Sequence, residues 1–165
     1  MEIKTARFKG FYEIQCPYCN SRKLRSLCSV RHGVPLGLRF TTLFKCELCG
    51  KFFVEVSEPE VWVREGSQET PIYVVTTYMG NLDELIDVVA NAVLVVEECR
   101  DPFLINEMGD NYYTFCGGAT WSCVDEEVKI LVEDRVREIE SEAEEEFKFE
   151  EYLEVYDDTL SDEDE

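Results

Sequence analysis

Apolar and polar residues follow two different rhythms along this chain. Up to about residue 78 the apolar residues come in short runs rich in β-branched and aromatic side chains. These are Phe11-Tyr12-Glu13-Ile14-Gln15, Phe40-Thr41-Thr42-Leu43-Phe44-Lys45, Lys51-Phe52-Phe53-Val54-Glu55-Val56, Val61-Trp62-Val63 and Ile72-Tyr73-Val74-Val75-Thr76-Thr77-Tyr78. Such runs predict strands, the last of them buried between Pro71 and Gly80. The period then lengthens. Leu82, Leu85, Ile86, Val89, Val93 and Val96 recur at helical spacing, widened by Val88, Ala92 and Val95. Asn81 stands as N-cap, with Glu84 three positions on to complete a capping box. Asp101-Pro102 predicts the end of this helix, and Met108-Gly109-Asp110-Asn111 a turn. Residues 112–116 and 119–124 flank Gly117-Gly118 and predict a hairpin. Asp125 caps a last helix with Val128, Leu131, Val132, Val136 and Ile139 on its apolar side. Lys129–Glu133 and Glu133–Arg137 are spaced to support it as i,i+4 pairs. Beyond Ile139 acids dominate, interspersed with Phe147, Phe149, Tyr152, Leu153, Val155 and Tyr156. Like charges in a row repel, so this segment predicts a flexible, acidic tail.

The expected fold class is therefore α+β. A β-rich N-terminal unit spans 1–57, an acidic α+β domain 58–140 and the acidic tail 141–165.

Charge sharpens that division. The chain of 165 residues has a formal net charge of −20, which by itself predicts repulsion from nucleic acid and anionic membranes. The total is unevenly spread. Residues 1–51 carry ten Lys/Arg and three acids, a net of +7, and the remainder carries −27. The N-terminal part is thus locally competent to bind polyanions, and the rest is competent to compete with them. No run approaches the roughly 18 apolar residues of a membrane-spanning helix. The first sixteen residues hold no signal-peptide core, so a cytoplasmic, reducing location is expected.

Four of the eight cysteines form two like-spaced pairs, Cys16-Pro17-Tyr18-Cys19 and Cys46-Glu47-Leu48-Cys49. Two C-x-x-C loops facing each other complete a tetrahedral sulfur shell of the kind that suits Zn²⁺. Asn20 and Gly50, the residues after each pair, tolerate the left-handed backbone that a tight knuckle needs. With the flanking strands, residues 8–57 resemble the zinc-ribbon superfamily: strand, C-P-x-C knuckle, hairpin, strand, C-x-x-C-G knuckle, strand. The resemblance implies that Cys16, Cys19, Cys46 and Cys49 ligate a structural Zn²⁺. Rubredoxin-like iron binding is the neighbouring alternative, from which Asn20 departs because Gly normally follows both knuckles there. A redox pair is another, as is a shell of Cys16, Cys19, Cys28 and His32 that leaves Cys46 and Cys49 over. Four thiolates leave no open position for a catalytic water. Cys99, Cys116 and Cys123 lack an evident fourth ligand and, like Cys28, are expected as buried thiols.

Between the knuckles, Gly33, Pro35 and Gly37 punctuate a hairpin bearing Arg31, His32 and Arg39, while Arg22, Lys23 and Arg25 follow the first knuckle. Basic residues among Phe8, Phe11, Tyr12, Tyr18 and Phe40 are the ingredients of phosphate contact and base stacking. Ribbon proteins that stimulate transcript cleavage carry an Asp-Glu pair at the hairpin tip. Residues 20–45 contain neither acid, so that activity is not expected. No phosphate loop, H-E-x-x-H or nucleophile elbow is present, and no enzyme is expected. The expected function is a non-enzymatic binding module near nucleic acid or a transcription or replication complex. The alternative is a small viral or host-directed interaction factor whose acidic surface engages a protein partner in place of nucleic acid. A hydrolase using the acidic region is a third and weaker reading.

Overall fold

A computed structural model of the chain describes residues 1–101, 109 and 111–163, with side chains described to residue 144. Six strands pair antiparallel into one sheet: β1 (Glu2–Lys9), β2 (Leu24–Val34), β3 (Gly37–Cys46), β4 (Phe52–Glu65), β5 (Gln68–Met79) and β6 (Thr120–Cys123). Their order across the sheet is β1-β5-β4-β3-β2-β6. Three described helices accompany them: α1 (Leu82–Glu98), α2 (Asn111–Cys116) and α3 (Glu126–Glu163). This is a mixed α+β fold built on an antiparallel sheet. Residue 57 lies inside β4, so the knuckle-bearing strands and those beyond them share one hydrogen-bonded surface.

The alternation of side chains assigns each face. Cys28, Val30, Leu43, Val54 and Val56 form the sheet side of the main core. Leu85, Ile86, Val89, Ala90, Val93 and Val96 of α1 cover them, joined by Val128, Val132 and Val136 of α3. Burying each such side chain contributes roughly 1.5–3 kcal/mol, which outweighs the weak strand and helix propensities of the individual segments. The helix expected at 82–96 is present with its cap. The Glu84 N–H donates to Asn81 Oδ1 at 2.9 Å, and the Asn81 N–H donates to Glu84 Oε1 at 3.3 Å. Asp125 caps α3 as expected, its Oδ1 accepting from the Val128 N–H at 3.1 Å. The anticipated i,i+4 pairs are replaced: Arg137 pairs with Asp134, and Arg135 reaches Glu138 and, across to α1, Asp87 at 2.8 Å. The backbone of α3 continues through the acidic segment to Glu163.

Four expectations need correction. The run 11–15 is no strand: the strand before the knuckle is β1, and residues 10–23 cross the face opposite the helices, with Tyr12 packed on Phe8 and Tyr73. The runs 51–56 and 61–63 are one strand, because Pro59 sits at a register shift between Pro59 and Val61 and so breaks no essential hydrogen bond. The first arm of the expected hairpin at Gly117-Gly118 is the helix α2, while the second is β6. The Tyr112 hydroxyl donates to the Cys99 carbonyl at 2.8 Å, and Cys116 is disulfide-bonded to Cys99, so tertiary ties override the β propensity of Tyr-Tyr-Thr-Phe. A second disulfide joins Cys28 to Cys123, which face each other across β2 and β6. These four cysteines were expected as free buried thiols; strand register and helix packing bring them into pairs instead. The end expected at Pro102 and the turn at 108–111 lie largely outside the described residues.

Candidate metal centre

The two C-x-x-C pairs fold into matching knuckles. In the first, the Asn20 N–H donates to the Cys16 carbonyl and the Cys16 N–H to the Ser21 carbonyl, both at 2.9 Å. In the second, Gly50 bonds Cys46 and Cys46 bonds Lys51 in the same pattern at the same distances. Closing each loop demands a left-handed residue at its end. Asn20 has φ 63° and Gly50 φ 75°, as their sequence positions predict. A bond from the Glu47 N–H to the Lys23 carbonyl, 2.9 Å, ties the knuckles to each other.

All four sulfurs lie within 4.8 Å of one another. Cys16 Sγ and Cys49 Sγ are 3.7 Å apart, and Cys19 Sγ and Cys46 Sγ 3.6 Å. A tetrahedral ion with metal–sulfur bonds of about 2.3 Å requires an S···S edge of about 3.8 Å. Two of the six edges match that value, and the tetrad is positioned to hold a tetrahedral metal. Cys16 and Cys46 are fully buried beside Phe53, with Ile14, Tyr18, Leu24 and Phe44 around them. Burial pushes the Cys16 thiol up. The Cys46 thiol is brought down to about 6, chiefly by the Cys49 N–H that reaches its sulfur at 3.5 Å. The knuckle backbone thus favours the Cys46 thiolate, the form that ligates a metal.

Tyr18, in the middle of the first knuckle, fastens the site to the sheet and to α1. Its hydroxyl donates to the Phe52 carbonyl at 2.9 Å and accepts from the Gly80 N–H at 3.2 Å. The Lys51 ammonium lies 4.9 Å from its ring centroid. The alternative shell with Cys28 and His32 does not assemble. Cys28 is bonded to Cys123, and His32 stands opposite Arg39 near the hairpin end with Nδ1 2.9 Å from the Gly33 carbonyl.

The basic residues spread around the hairpin and do not converge. Arg22 pairs with Glu13 at 2.8 Å, and Arg31 Nε donates to the Gly118 carbonyl at 3.1 Å. Arg22 and Lys23 precede β2; Arg25 lies on it, opposite Lys45. Lys23 and Arg25 are exposed, Arg39 is half-buried, and none of these three makes an ion pair among the described residues. Phe40 is partly exposed opposite Arg31, and Phe11 is 88% exposed.

Two groups carried more than their sequence positions suggested. Tyr18 left no signal beyond lying inside a knuckle. Glu55 left one: it is the lone acid in the apolar run 52–56, and only 8% of it is exposed. Compared with known proteins, the chain matches no family model, no curated protein and no solved structure.

Proposed function

We propose that this chain is a non-enzymatic zinc-binding module, of zinc-ribbon type, that acts beside nucleic acid or a transcription or replication complex. The observation that carries the reading is the four-sulfur cage, with cross-edges of 3.6 and 3.7 Å that match a closed tetrahedral site. Such a site organises structure: it fixes the bases of β2 and β4 and presents the hairpin between the knuckles. Lys23, Arg25 and Arg39 are then free cations for phosphates, Arg22, Arg31 and His32 lie nearby, and Phe11 and Phe40 offer exposed rings to bases.

Elemental analysis of the purified chain is expected to give one zinc per molecule, and Cys46→Ser to remove it. Fluorescence anisotropy of the full chain with single-stranded oligonucleotides is expected to show affinity that falls steeply with salt. Reversing Lys23, Arg25 and Arg39 to Glu should abolish it while zinc content stays unchanged. Binding that is absent even at low salt would overturn the nucleic-acid half of the proposal.

One observation favours the second reading, an acidic surface for a protein partner. Asp83, Glu84, Asp87, Asp134 and Glu138 line one groove between α1 and α3, where Arg135 and the Met1 ammonium offset only part of their charge. Affinity capture from the native source that is insensitive to nuclease, and lost when Asp83 and Asp134 are changed to Asn, would support it.

A further inference from the structure

On the face opposite the helices, β1, β4, β5 and the 10–23 connection border an open pocket of about 480 Å³. Its walls include Phe8, Tyr12, Thr77, Lys4, Glu13 and Glu55. The size lies within the range of small-ligand pockets, roughly 300–1,000 Å³. Phe8 and Tyr12 stack with centroids 5.0 Å apart, so two adjoining rings form the aromatic part of the wall. Glu55 lines this space with 8% of its surface exposed and makes no ion pair among the described residues. A carboxylate so placed is costly unless a cation or hydrogen bonds compensate it.

We propose that this pocket binds a small organic cation, an alkylammonium or alkylguanidinium group, with Glu55 as its counter-charge and Phe8 and Tyr12 as the rings it packs against. The proposal is independent of the zinc and nucleic-acid readings. Glu13 also lines the walls but is paired with Arg22 at 2.8 Å, so Glu55 is the carboxylate there without an ion-pair partner among the described residues. Lys4, the one cation lining the space, is 60% exposed and directs its Nζ to Glu2 at 3.9 Å. Tyr12 stabilises the Glu55 carboxylate through a hydrogen bond, and Thr42 stands beside Glu55 in register from β3. Aromatic faces attract cations, more strongly once water is displaced.

Burial pushes the Glu55 carboxyl up to about 7, with the Tyr12 hydrogen bond opposing. A cation binds the ionised form, so affinity should rise as pH climbs through that value. The two sources of such a group are a free metabolite and a Lys or Arg side chain of a basic peptide.

The test titrates butylguanidinium into the full chain by calorimetry, in about 0.15 M salt to screen non-specific attraction. Butylurea serves as the uncharged isostere, and acetyl-Gly-Arg-Gly-amide as the peptide source. Saturable binding near pH 8 is expected, weakened at least tenfold in Glu55→Gln and near pH 5.5, reduced in Tyr12→Ala, unchanged in Glu144→Gln and absent with butylurea. A peptide that binds more tightly than butylguanidinium identifies a side-chain ligand; the reverse identifies a free one. The pH profile of the unaltered chain keeps the test intact if a variant fails to fold. Affinity that persists in Glu55→Gln, that matches butylurea or that ignores pH overturns the proposal.

Discussion

Asn20 holds φ at 63°, a conformation that costs most residues about 1–2 kcal/mol and glycine almost nothing. Asn20→Gly should therefore fold as the parent does and leave the proposed metal binding unchanged. Asn20→Val should lose roughly 1–2 kcal/mol in chemical denaturation of the metal-free protein and weaken zinc affinity, measured by competition with a chelator. Glu55 yields a pH prediction of definite sign. Its carboxyl, raised to about 7 from 4.5, holds its proton in the folded state where the unfolded chain has lost it. Stability from this group is thus full below about pH 4.5 and declines as pH rises through 7. Glu55→Gln should match the parent near pH 4.5 and exceed it near pH 8 by on the order of 3 kcal/mol, read from denaturation midpoints at the two values. These two residues also show what was legible early. Asn20 announced itself by its place after a C-x-x-C pair, because local covalent geometry dictates it. The burial of Glu55 depends on the 10–23 connection lying over it, a long-range event that an alternating strand pattern does not encode.

At the scale of elements, α1, β3 and β5 were readable because each carries its own signal, a capping box or an apolar run. α2 was misread and β1 was missed. Every residue of β1 is exposed and four of its eight are charged, the usual dress of a protected edge strand, so no apolar run marks it. α2 is held by contacts at a distance, one of them the close approach of Thr114 to Gly33 of β2. A side chain there would overlap the Thr114 carbonyl oxygen, so only glycine admits the helix. Gly33→Ala should force α2 away from the sheet. The expected result is a loss of about 1–3 kcal/mol and faster hydrogen exchange at 111–116, with zinc content unchanged because the knuckles lie at the far end of β2.

For the whole molecule, the halves of opposite charge noted in the sequence share one sheet, with the acidic helices α1 and α3 on a single face. Cysteine chemistry divides in two as well. Cys16, Cys19, Cys46 and Cys49 form the sulfur cage, while Cys28–Cys123 and Cys99–Cys116 are disulfides. Alkylation after chelation and denaturation, read by mass spectrometry, should modify the first four and spare the other four until a reductant is added. Cys28–Cys123 closes a sequence span of 95 residues, so Cys123→Ser should cost about 2–4 kcal/mol by restoring freedom to the unfolded chain. β6 and α2 should loosen first.

The hydroxyl of Tyr18 joins three parts of the molecule: the first knuckle, the start of β4 and the Gly80 N–H just before α1. A phenol so placed is a built-in optical reporter. Filling or emptying the sulfur cage should alter its ultraviolet absorbance and emission. The occupancy of the cage could then be followed in the unlabelled protein, and a change at one end of the sheet read as a signal from the root of its longest buried helix.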